Sequence, residues 1–312
     1  MPMISRSDAD SLIPVETAKE ILQSMPQQSA IMGLARRLPD MTAAQRTQPI
    51  LSALAQAYFV NGDTGLKQTT KMAWDKKSIY AEELAVIVPI PDNVLDDTEY
   101  DIWGEVKPRL IEAFGIAVDQ AVLYGTNKPG TWPDGITVGA AAAGHVVNLG
   151  AGADLYDDVM VEGGVLSKVE EDGYLVTGHI AALTMKAKLR GLRDANGVPL
   201  FNSSVQEKTR YTLDGTDCLF PLNGAIDAAQ SLLISGDWSQ LVYAMRKDVT
   251  YKVLTEAVIT DADGKVIYNL PQQDMVAIRA VMRLGWQLPN PLNRVNPNNA
   301  TRYPFAVLAP KA

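Results

Sequence analysis

The longest helical pattern of the chain runs from Tyr100 to Tyr124. Apolar residues recur there at spacings of three and four, which places them on one face of a helix. Pro108 lies inside the pattern, so we expect either a kink or two abutting helices. Gly125 follows directly and predicts the end of the helix, because glycine readily adopts the left-handed backbone of a C-cap. The pattern therefore predicts a long helical segment in the first half of the chain.

Apolar and alternating runs predict strands on both sides of this helix. Before it, residues 84–90 form an unbroken apolar run, which indicates a strand buried on both faces. After it, residues 241–254 and 275–286 alternate between apolar and polar positions. Residues 261–265 (Asp-Ala-Asp-Gly-Lys) predict a hairpin turn between two short apolar runs. A last short apolar segment is expected at 304–310.

Weaker patterns predict further elements. Three stretches show helical spacing: 30–38, 154–172 and 178–193. A short strand is expected at 174–176, directly before the last of them. The pattern over 48–60 fits a strand or a helix equally well. Residues 126–152 are rich in Gly, Pro and Ala and are expected to be a turn-dense linker. Together these elements predict a mixed α+β fold.

Residues 61–77 differ in kind from the rest of the chain. They begin with Asn-Gly-Asp-Thr-Gly, and their apolar content is too low for a core of their own. We therefore expect a long projecting loop or hairpin. Two interpretations are open, a solvated surface loop or an arm that lies on another subunit. In the second, the residues in contact with the neighbour would be Lys67, Lys71, Trp74, Lys76 and Lys77.

Composition and charge narrow the class of protein. Of 312 residues, 47% are hydrophobic and 21% are charged, which is typical of globular proteins. The formal net charge is -8, and an acidic chain repels nucleic-acid phosphate on average. Sequence-specific DNA binding is therefore not expected, whereas an acidic wall around DNA remains open. Charged residues interrupt the N-terminus, so no signal peptide is expected. The longest apolar run has only seven residues, so we expect no membrane span.

Few residues are suited to catalysis or metal binding. The chain has one cysteine, Cys218, and two histidines, His145 and His179, so the number of zinc-binding side chains gives no reason to expect a zinc enzyme. His179 is expected to be a capping or core polar residue near a helix start, and His145 is assigned no role. Carboxylates adjacent in sequence point apart on a helix, so we interpret these pairs as solvated faces or caps: Glu82-Glu83, Asp96-Asp97, Asp157-Asp158 and Glu170-Glu171. We expect no cofactor, no metal and no enzymatic activity.

Five segments, taken in order, resemble one known family. They are the Lys-rich stretch 61–77 with its apolar return 81–92, the end of the long helical pattern (117–125), the Asp-x-x-Gly region (192–201), the Gly-Asp-Trp-Ser region (234–243) and the strand pattern 269–280. In this order they are similar to the major capsid proteins of tailed bacteriophages, which have the Hong-Kong-97-type fold. The resemblance covers about residues 45–310.

The resemblance implies a division of the chain. In the family fold, residues 1–45 would be an N-terminal arm and residues 46–92 an extended β-hairpin loop. Residues 93–150 would contain the spine helix of a peripheral domain, and residues 151–270 an axial domain. Residues 271–312 would return to the peripheral domain.

The resemblance also implies a function. The chain would self-assemble as pentamers and hexamers into an icosahedral phage head that encloses double-stranded DNA without sequence-specific binding. It would be located in the virion capsid and be assembled in the host bacterial cytoplasm. Only about 45 residues precede the extended loop. We therefore expect a separate scaffolding protein, or assembly without one, and no processing protease. A portal protein is a further expected partner, and decoration proteins are candidates.

Covalent crosslinking through a loop lysine occurs in some family members. Lys67, Lys71, Lys76 and Lys77 are candidates for that lysine. The Asn and Glu that the reaction also needs have no identifiable counterparts, so crosslinking is not expected.

Three alternatives differ in what they predict. An encapsulin-like shell with the same fold would enclose a cargo enzyme instead of DNA. An enzyme would use His179 or a carboxylate pair in a deep pocket. A tail or baseplate component would form rings or tubes and no closed shell.

Overall fold

The protein is described by a computed structural model that covers residues 29–59, 66–67, 69–97, 102–192 and 211–311. The α-helices of these residues are α1 (Ala30–Leu34), α2 (Asp92–Asp97), α3 (Ile102–Tyr124), α4 (Ile136–Ala143), α5 (Leu155–Met160), α6 (Val165–Glu171) and α7 (Leu183–Gly191). Two 3-10 turns lie at Trp238–Gln240 and Leu270–Gln272.

The strands vary from two to thirteen residues in length. They are β1 (Arg36–Arg37), β2 (Gln45–Ala53), β3 (Ala73–Tyr80), β4 (Glu82–Pro91), β5 (Val146–Asn148), β6 (Gly178–Ala181), β7 (Thr212–Leu213), β8 (Thr216–Leu219), β9 (Leu233–Gly236), β10 (Val242–Leu254), β11 (Val258–Thr260), β12 (Val266–Asn269), β13 (Met275–Gln287) and β14 (Phe305–Ala309). Two pairs, β2–β3 and β11–β12, form separate two-stranded hairpins.

A four-stranded sheet packs against the long helix α3. Its order is β1-β10-β13-β4; β1 runs parallel to β10, and the other pairs are antiparallel. Alternate residues of β13 face the helix, among them Ile278, Met282 and Trp286, which are at most 3% exposed. They meet the apolar stripe of α3, including Phe114 and Val118. This burial is the main source of stability for the helix–sheet layer.

A six-stranded sheet of order β5-β14-β9-β6-β8-β7 forms the second layer, together with α5, α6 and α7. Trp238 lies in the 3-10 turn between β9 and β10, where the chain passes from one sheet to the other. Its indole Nε1 donates a 3.0 Å hydrogen bond to the carbonyl of Gly178, and its ring meets Phe305 edge-on at 4.9 Å between centroids. The indole, 1% exposed, therefore ties the strands of one sheet to the start of the other.

Several predicted elements are confirmed. α3 continues through Pro108 as one helix, so the alternative of two abutting helices is wrong. Gly125 follows it with φ +73°. The β11–β12 hairpin has its turn at 261–265, where the Asp261 carboxylate accepts from the backbone N–H of Asp263 and of Lys265. The ambiguous stretch 48–60 begins as a strand, because residues 48–53 belong to β2, whereas residues 54–59 are in neither a strand nor a helix.

Other predictions are wrong for tertiary reasons. β4 is an edge strand and is not buried on both faces, because Leu84 and Val86 face α3 while Ile87 points outward and is 41% exposed. The linker 126–152 contains the helix α4. The helical stretch 154–172 is interrupted between α5 and α6 at Gly163-Gly164.

Two boundaries also differ from expectation. The helical stretch 30–38 ends at Leu34, because Arg36–Arg37 pairs with β10. The strand expected at 174–176 lies instead at Gly178–Ala181, where β6 pairs with β8 and β9 on its two sides, and the helix begins only at Leu183. Most of the Asp-x-x-Gly region at 192–201 lies outside the described residues.

Candidate self-association surface

The Lys-rich stretch expected to project is part of a long antiparallel hairpin. β2 pairs with β3 from Gln45 opposite Tyr80 to Ala53 opposite Ala73, and the described residues 54–59, 66–67 and 69–72 lie beyond the paired part. Near this far end, the backbone N–H of Gln56 donates to the hydroxyl of Thr70 at 3.0 Å. The described residues of the stretch therefore run from the far end of a two-stranded arm (66–67 and 69–72) along β3 towards the base of the arm.

The base of the hairpin is fixed to its own subunit. Lys77 donates from Nζ to the carbonyl of Leu288 at 3.0 Å, and Gln287 donates from Nε2 to the carbonyl of Ser78 at 3.0 Å. Trp132 Nε1 donates to the carbonyl of Tyr80 at 3.1 Å. Ile79 is fully buried in a small cluster with Met41, Ala81, Val242 and Ala244. These contacts set the direction in which the arm leaves the body.

Gly285 allows this close approach. A Cβ at this position would overlap the carbonyl oxygen of Tyr80 and lie 2.7 Å from Cγ2 of Ile79. Only a residue without a side chain lets the hairpin base pass so close to β13.

The outer half of the hairpin carries large apolar side chains that its own subunit leaves uncovered. They form what we call the distal surface: Tyr58 (50% exposed), Phe59 (108%), Leu66 (94%), Met72 (44%) and Trp74 (65%). Single exposed apolar residues are common on proteins, but a group of them on a narrow projection indicates contact with another molecule.

The five residues singled out from the sequence fall into two environments. Lys67, Lys71, Trp74 and Lys76 are exposed on the outer half of the arm or on β3. Lys77 is half-buried at the base, where burial lowers the pKa of its ammonium group. The apolar members Tyr58, Phe59, Leu66 and Met72 are absent from that set. These apolar positions are scattered along the sequence without a period that would indicate a shared surface.

His179 is a core residue, and its predicted place near a helix start is wrong. It lies in the middle of the six-stranded sheet, fully buried. Its Nδ1 lies 2.8 Å from the hydroxyl of Ser235, and its Nε2 lies 2.7 Å from that of Thr216 and 3.1 Å from the carbonyl of Leu213. Burial lowers the pKa of the imidazole to about 4. Both nitrogens are occupied by the sheet itself, so the contacts are those of a structural residue.

His145, which was assigned no role, joins two distant parts of the second layer. Its Nε2 lies 3.2 Å from a carboxylate oxygen of Asp172, and its Nδ1 lies 3.2 Å from the carbonyl of Phe305. The same carboxylate oxygen accepts from the backbone N–H of Tyr303 at 2.6 Å. This buried group holds α6 against the start of β14.

Paired carboxylates also have structural partners. Asp158 accepts from the backbone N–H of Gly150 and of Gly152, both at 2.6 Å, and Glu82 accepts from the hydroxyl of Thr131 at 2.6 Å. The side chain of Asp97 lies outside the described residues. Within the described ranges, no group of three His, Cys, Asp or Glu side chains is placed to hold a metal ion. No helix in that part of the chain is long and apolar enough to span a bilayer.

A mixed fold that anchors a long arm at its base and exposes apolar side chains at the far end defines a structural protein that associates with other molecules. Comparison with known proteins gives the family. The model of the phage capsid family matches residues 9–292, and the chain belongs to this family. It is a structural major capsid protein of a tailed phage, with the Hong-Kong-97-type fold.

Individual relatives agree with this. The major capsid protein of Staphylococcus phage 80alpha is 26% identical over 88% of this chain and 81% of its own length. A solved chain from Microbacterium phage Oxtober96 is 36% identical and covers 90% of this chain and 91% of its own, with a TM-score of 0.78. A solved chain from Mycobacterium phage Adephagia is 26% identical and covers 100% of this chain and 99% of its own, with a TM-score of 0.77.

Proposed function

We propose that the chain assembles as pentamers and hexamers into a closed icosahedral head that encloses double-stranded DNA without reading its sequence. The observation that carries this proposal is the distal surface of the hairpin. Its five large apolar side chains gain a hydrophobic environment only when a second molecule covers them. A neighbouring copy of the same chain is the partner that a shell subunit meets in every direction.

In this proposal the exposed lysines define the rim of the contact. Lys67, Lys71 and Lys76 flank Trp74 in the sequence and would bring cationic groups to a neighbour whose net charge is -8. Apolar anchors at the centre and charged residues at the edge are typical of protein interfaces. Lys77 would act indirectly, because it fixes the base of the arm.

The two sheets support a division into two domains. We propose that the four-stranded sheet with α3 is the peripheral domain and α3 its spine helix. The six-stranded sheet with α5, α6 and α7 would be the axial domain. The proposed axial sheet also contains β5 from the segment 93–150 and β14 from the segment 271–312, and the proposed peripheral sheet contains β10 from the segment 151–270. Residues 46–92 would comprise the extended loop and its return strand, and residues 1–45 the N-terminal arm.

The proposed partners follow from this role. A separate scaffolding protein and a portal protein remain predictions, as do decoration proteins and assembly in the host cytoplasm. The proposal that the chain is not an enzyme is supported by the contacts of His179, whose nitrogens are both engaged within the sheet.

The proposed function is tested by electron microscopy and light scattering of the purified chain. We expect closed polyhedral particles, or rings of five and six subunits. A chain that stays monomeric or dimeric at high concentration, even with a candidate scaffold, would contradict the proposal. The content of the particles separates a phage head from an encapsulin-like shell, since co-purification of a cargo enzyme would favour the latter. Open tubes or rings without closed particles would indicate a tail or baseplate component.

A further inference from the structure

Four cations share the face of the four-stranded sheet that points away from α3. Lys247 and Lys252 lie on β10, and Arg279 and Arg283 lie on β13. In the register of these strands Lys252 is opposite Arg279, and Lys247 is opposite Arg283. Residues directly opposite in an antiparallel pair project from the same face. We call these four residues the basic face.

Like charges placed directly opposite each other destabilise a sheet. The fold therefore gains nothing from these two pairs, in contrast to the apolar pairs on the opposite face that pack under α3. Because these pairs destabilise the isolated subunit, they indicate that the cations bind a group on another molecule.

No described residue of the subunit neutralises the basic face. The ion pairs among described residues lie elsewhere, and none of the four side chains donates a hydrogen bond to a described residue. Glu83 is opposite Arg283 in the register of β4 and β13, yet the two form no ion pair. The buried Nε of Arg283 has no hydrogen-bond acceptor. This nitrogen is too deeply buried for another molecule to reach. The exposed cationic groups of Lys247, Lys252 and Arg279 are the ones that can donate to an acceptor on another molecule.

Only part of this side of the sheet is free. At one end, Met41, Ile79 and Ala81 cover Val242 and Ala244. The cations lie beyond this cover, and Lys247, Lys252 and Arg279 are exposed. The basic face is thus an open surface next to the base of the hairpin.

We propose that the basic face docks on an acidic surface of a second copy of this chain. The remaining 24 Lys and Arg residues are outnumbered by 36 Asp and Glu residues, so the rest of another copy has a net negative charge that complements the basic face. The inference rests on the proposed assembly and adds a contact distinct from the distal surface of the hairpin.

The surroundings of the cations favour a protein over DNA. Ile87 is opposite Arg279 on the same face and is 41% exposed. Contacts with a DNA backbone are made to phosphate and sugar by polar and cationic groups. A protein interface buries apolar side chains among polar ones, which fits a face that mixes arginine with isoleucine.

The test reverses the charge of one opposed pair. Lys252→Glu combined with Arg279→Glu keeps a like-charged pair within the subunit but changes its sign towards a neighbour. The matched control is Lys188→Glu with Arg190→Glu, two exposed cations on α7 that give the same net charge. We expect the first variant, in the absence of DNA, to need an at least about tenfold higher subunit concentration to form particles. The control should assemble like the natural chain, and so should the charge-conserving pair Lys252→Arg with Arg279→Lys.

A single substitution separates assembly from folding. Lys252→Glu places a carboxylate opposite Arg279, so the subunit should unfold at a higher temperature than the natural chain. The same variant should nevertheless assemble less well, which no folding defect could explain. Added salt should weaken assembly of the natural chain more than that of the double variant.

Four outcomes would overturn the inference. One is that the basic-face variant assembles like the natural chain. Another is that the basic-face variant and the control variant fail equally, which would indicate an effect of net charge alone. Particles that form normally but no longer retain DNA would assign the face to DNA. If the natural chain itself forms no particles, the proposed function fails and the inference fails with it. Normal particles from both the natural chain and the basic-face variant refute only the inference.

Discussion

Ser29 donates a 2.5 Å hydrogen bond to the carboxylate of Asp119, ninety positions further along the chain. The same carboxylate accepts from the backbone N–H of Ala30 at 3.0 Å and of Ile31 at 3.3 Å. Asp119 lies on α3 and is fully buried. The long helix therefore fixes the start of α1 to the body of the subunit.

This buried carboxylate predicts a pH dependence. Burial raises the pKa of Asp119 to about 6 from its usual 3.8. Between these values the folded protein holds a proton that the unfolded chain has released, so the free energy of unfolding falls as the pH rises from about 4 to about 6. Asp119→Asn removes this dependence. As the pH rises from about 4 to about 6, the free energy of unfolding of the variant should increase relative to that of the natural chain by on the order of 3 kcal/mol.

The measurement is denaturant unfolding of the dissociated subunit at several pH values. Asp263→Asn is the control, because Asp263 is an exposed residue in the β11–β12 turn. The stability difference between the control and the natural chain should not vary with pH. An Asp119→Asn difference that is the same at pH 4 and pH 7 would refute the prediction.

His179 predicts a dependence of the opposite sign. Burial lowers the pKa of its imidazole from 6.5 to about 4. The unfolded chain therefore binds a proton that the folded protein excludes, and the free energy of unfolding falls as the pH drops from about 6.5 to about 4. His179→Gln should gain stability relative to the natural chain on acidification, on the order of 3 kcal/mol over this range. Thermal unfolding of both proteins at pH 4.5 and pH 7 tests the sign of this difference. A variant that loses stability relative to the natural chain on acidification would contradict the prediction.

Gly285 predicts a steric effect at the base of the arm. Gly285→Ala introduces a Cβ that overlaps the carbonyl of Tyr80, so the hairpin base must move away from β13. We expect a loss of about 1–3 kcal/mol in the free energy of unfolding. Gly130→Ala is the matched control, because a Cβ there meets nothing within 4 Å, and it should change stability by less than about 0.5 kcal/mol. Equal effects of the two substitutions would show that the close approach is unimportant.

The distal surface predicts a separation of stability from assembly. Leu66→Ala combined with Trp74→Ala removes exposed apolar groups, so the dissociated subunit should lose less than about 0.5 kcal/mol per site. Its assembly into particles should require a higher subunit concentration. Ile79→Ala at the buried base should instead cost about 2–5 kcal/mol of subunit stability. Unfolding curves and light scattering on the same preparations distinguish the two effects, and normal assembly of the distal variant would disprove the contact.

Much of the fold follows from patterns within short stretches. The spacing of Phe114, Val118 and their neighbours predicts α3, and the alternation of 275–286 predicts β13. The 261–265 turn is local as well, since the backbone N–H groups of Asp263 and Lys265 donate to the side chain of Asp261 within the same turn. A helix face, a strand face and a tight turn each depend on residues close together in sequence, so these elements can be predicted from the sequence alone.

The candidate site was predicted only in part. The sequence indicated a projecting arm with Trp74 and four lysines, because a polar and glycine-rich stretch cannot form a core. It did not indicate that Lys77 lies at the anchored base, since Leu288, its hydrogen-bond partner, lies more than two hundred residues away. The apolar members of the distal surface were also missed. Their exposure depends on which side chains of the arm the rest of the subunit covers.

By itself, the sequence determined the long helix, the long strands, the projecting arm and the family of phage capsid proteins, because these depend on local periodicity, composition and ordered motifs. Only the tertiary structure decided that β4 is an edge strand and that His179 lies in a sheet. It alone placed Lys252 opposite Arg279. Each of these depends on strand order and register, which are set by packing between residues far apart along the chain.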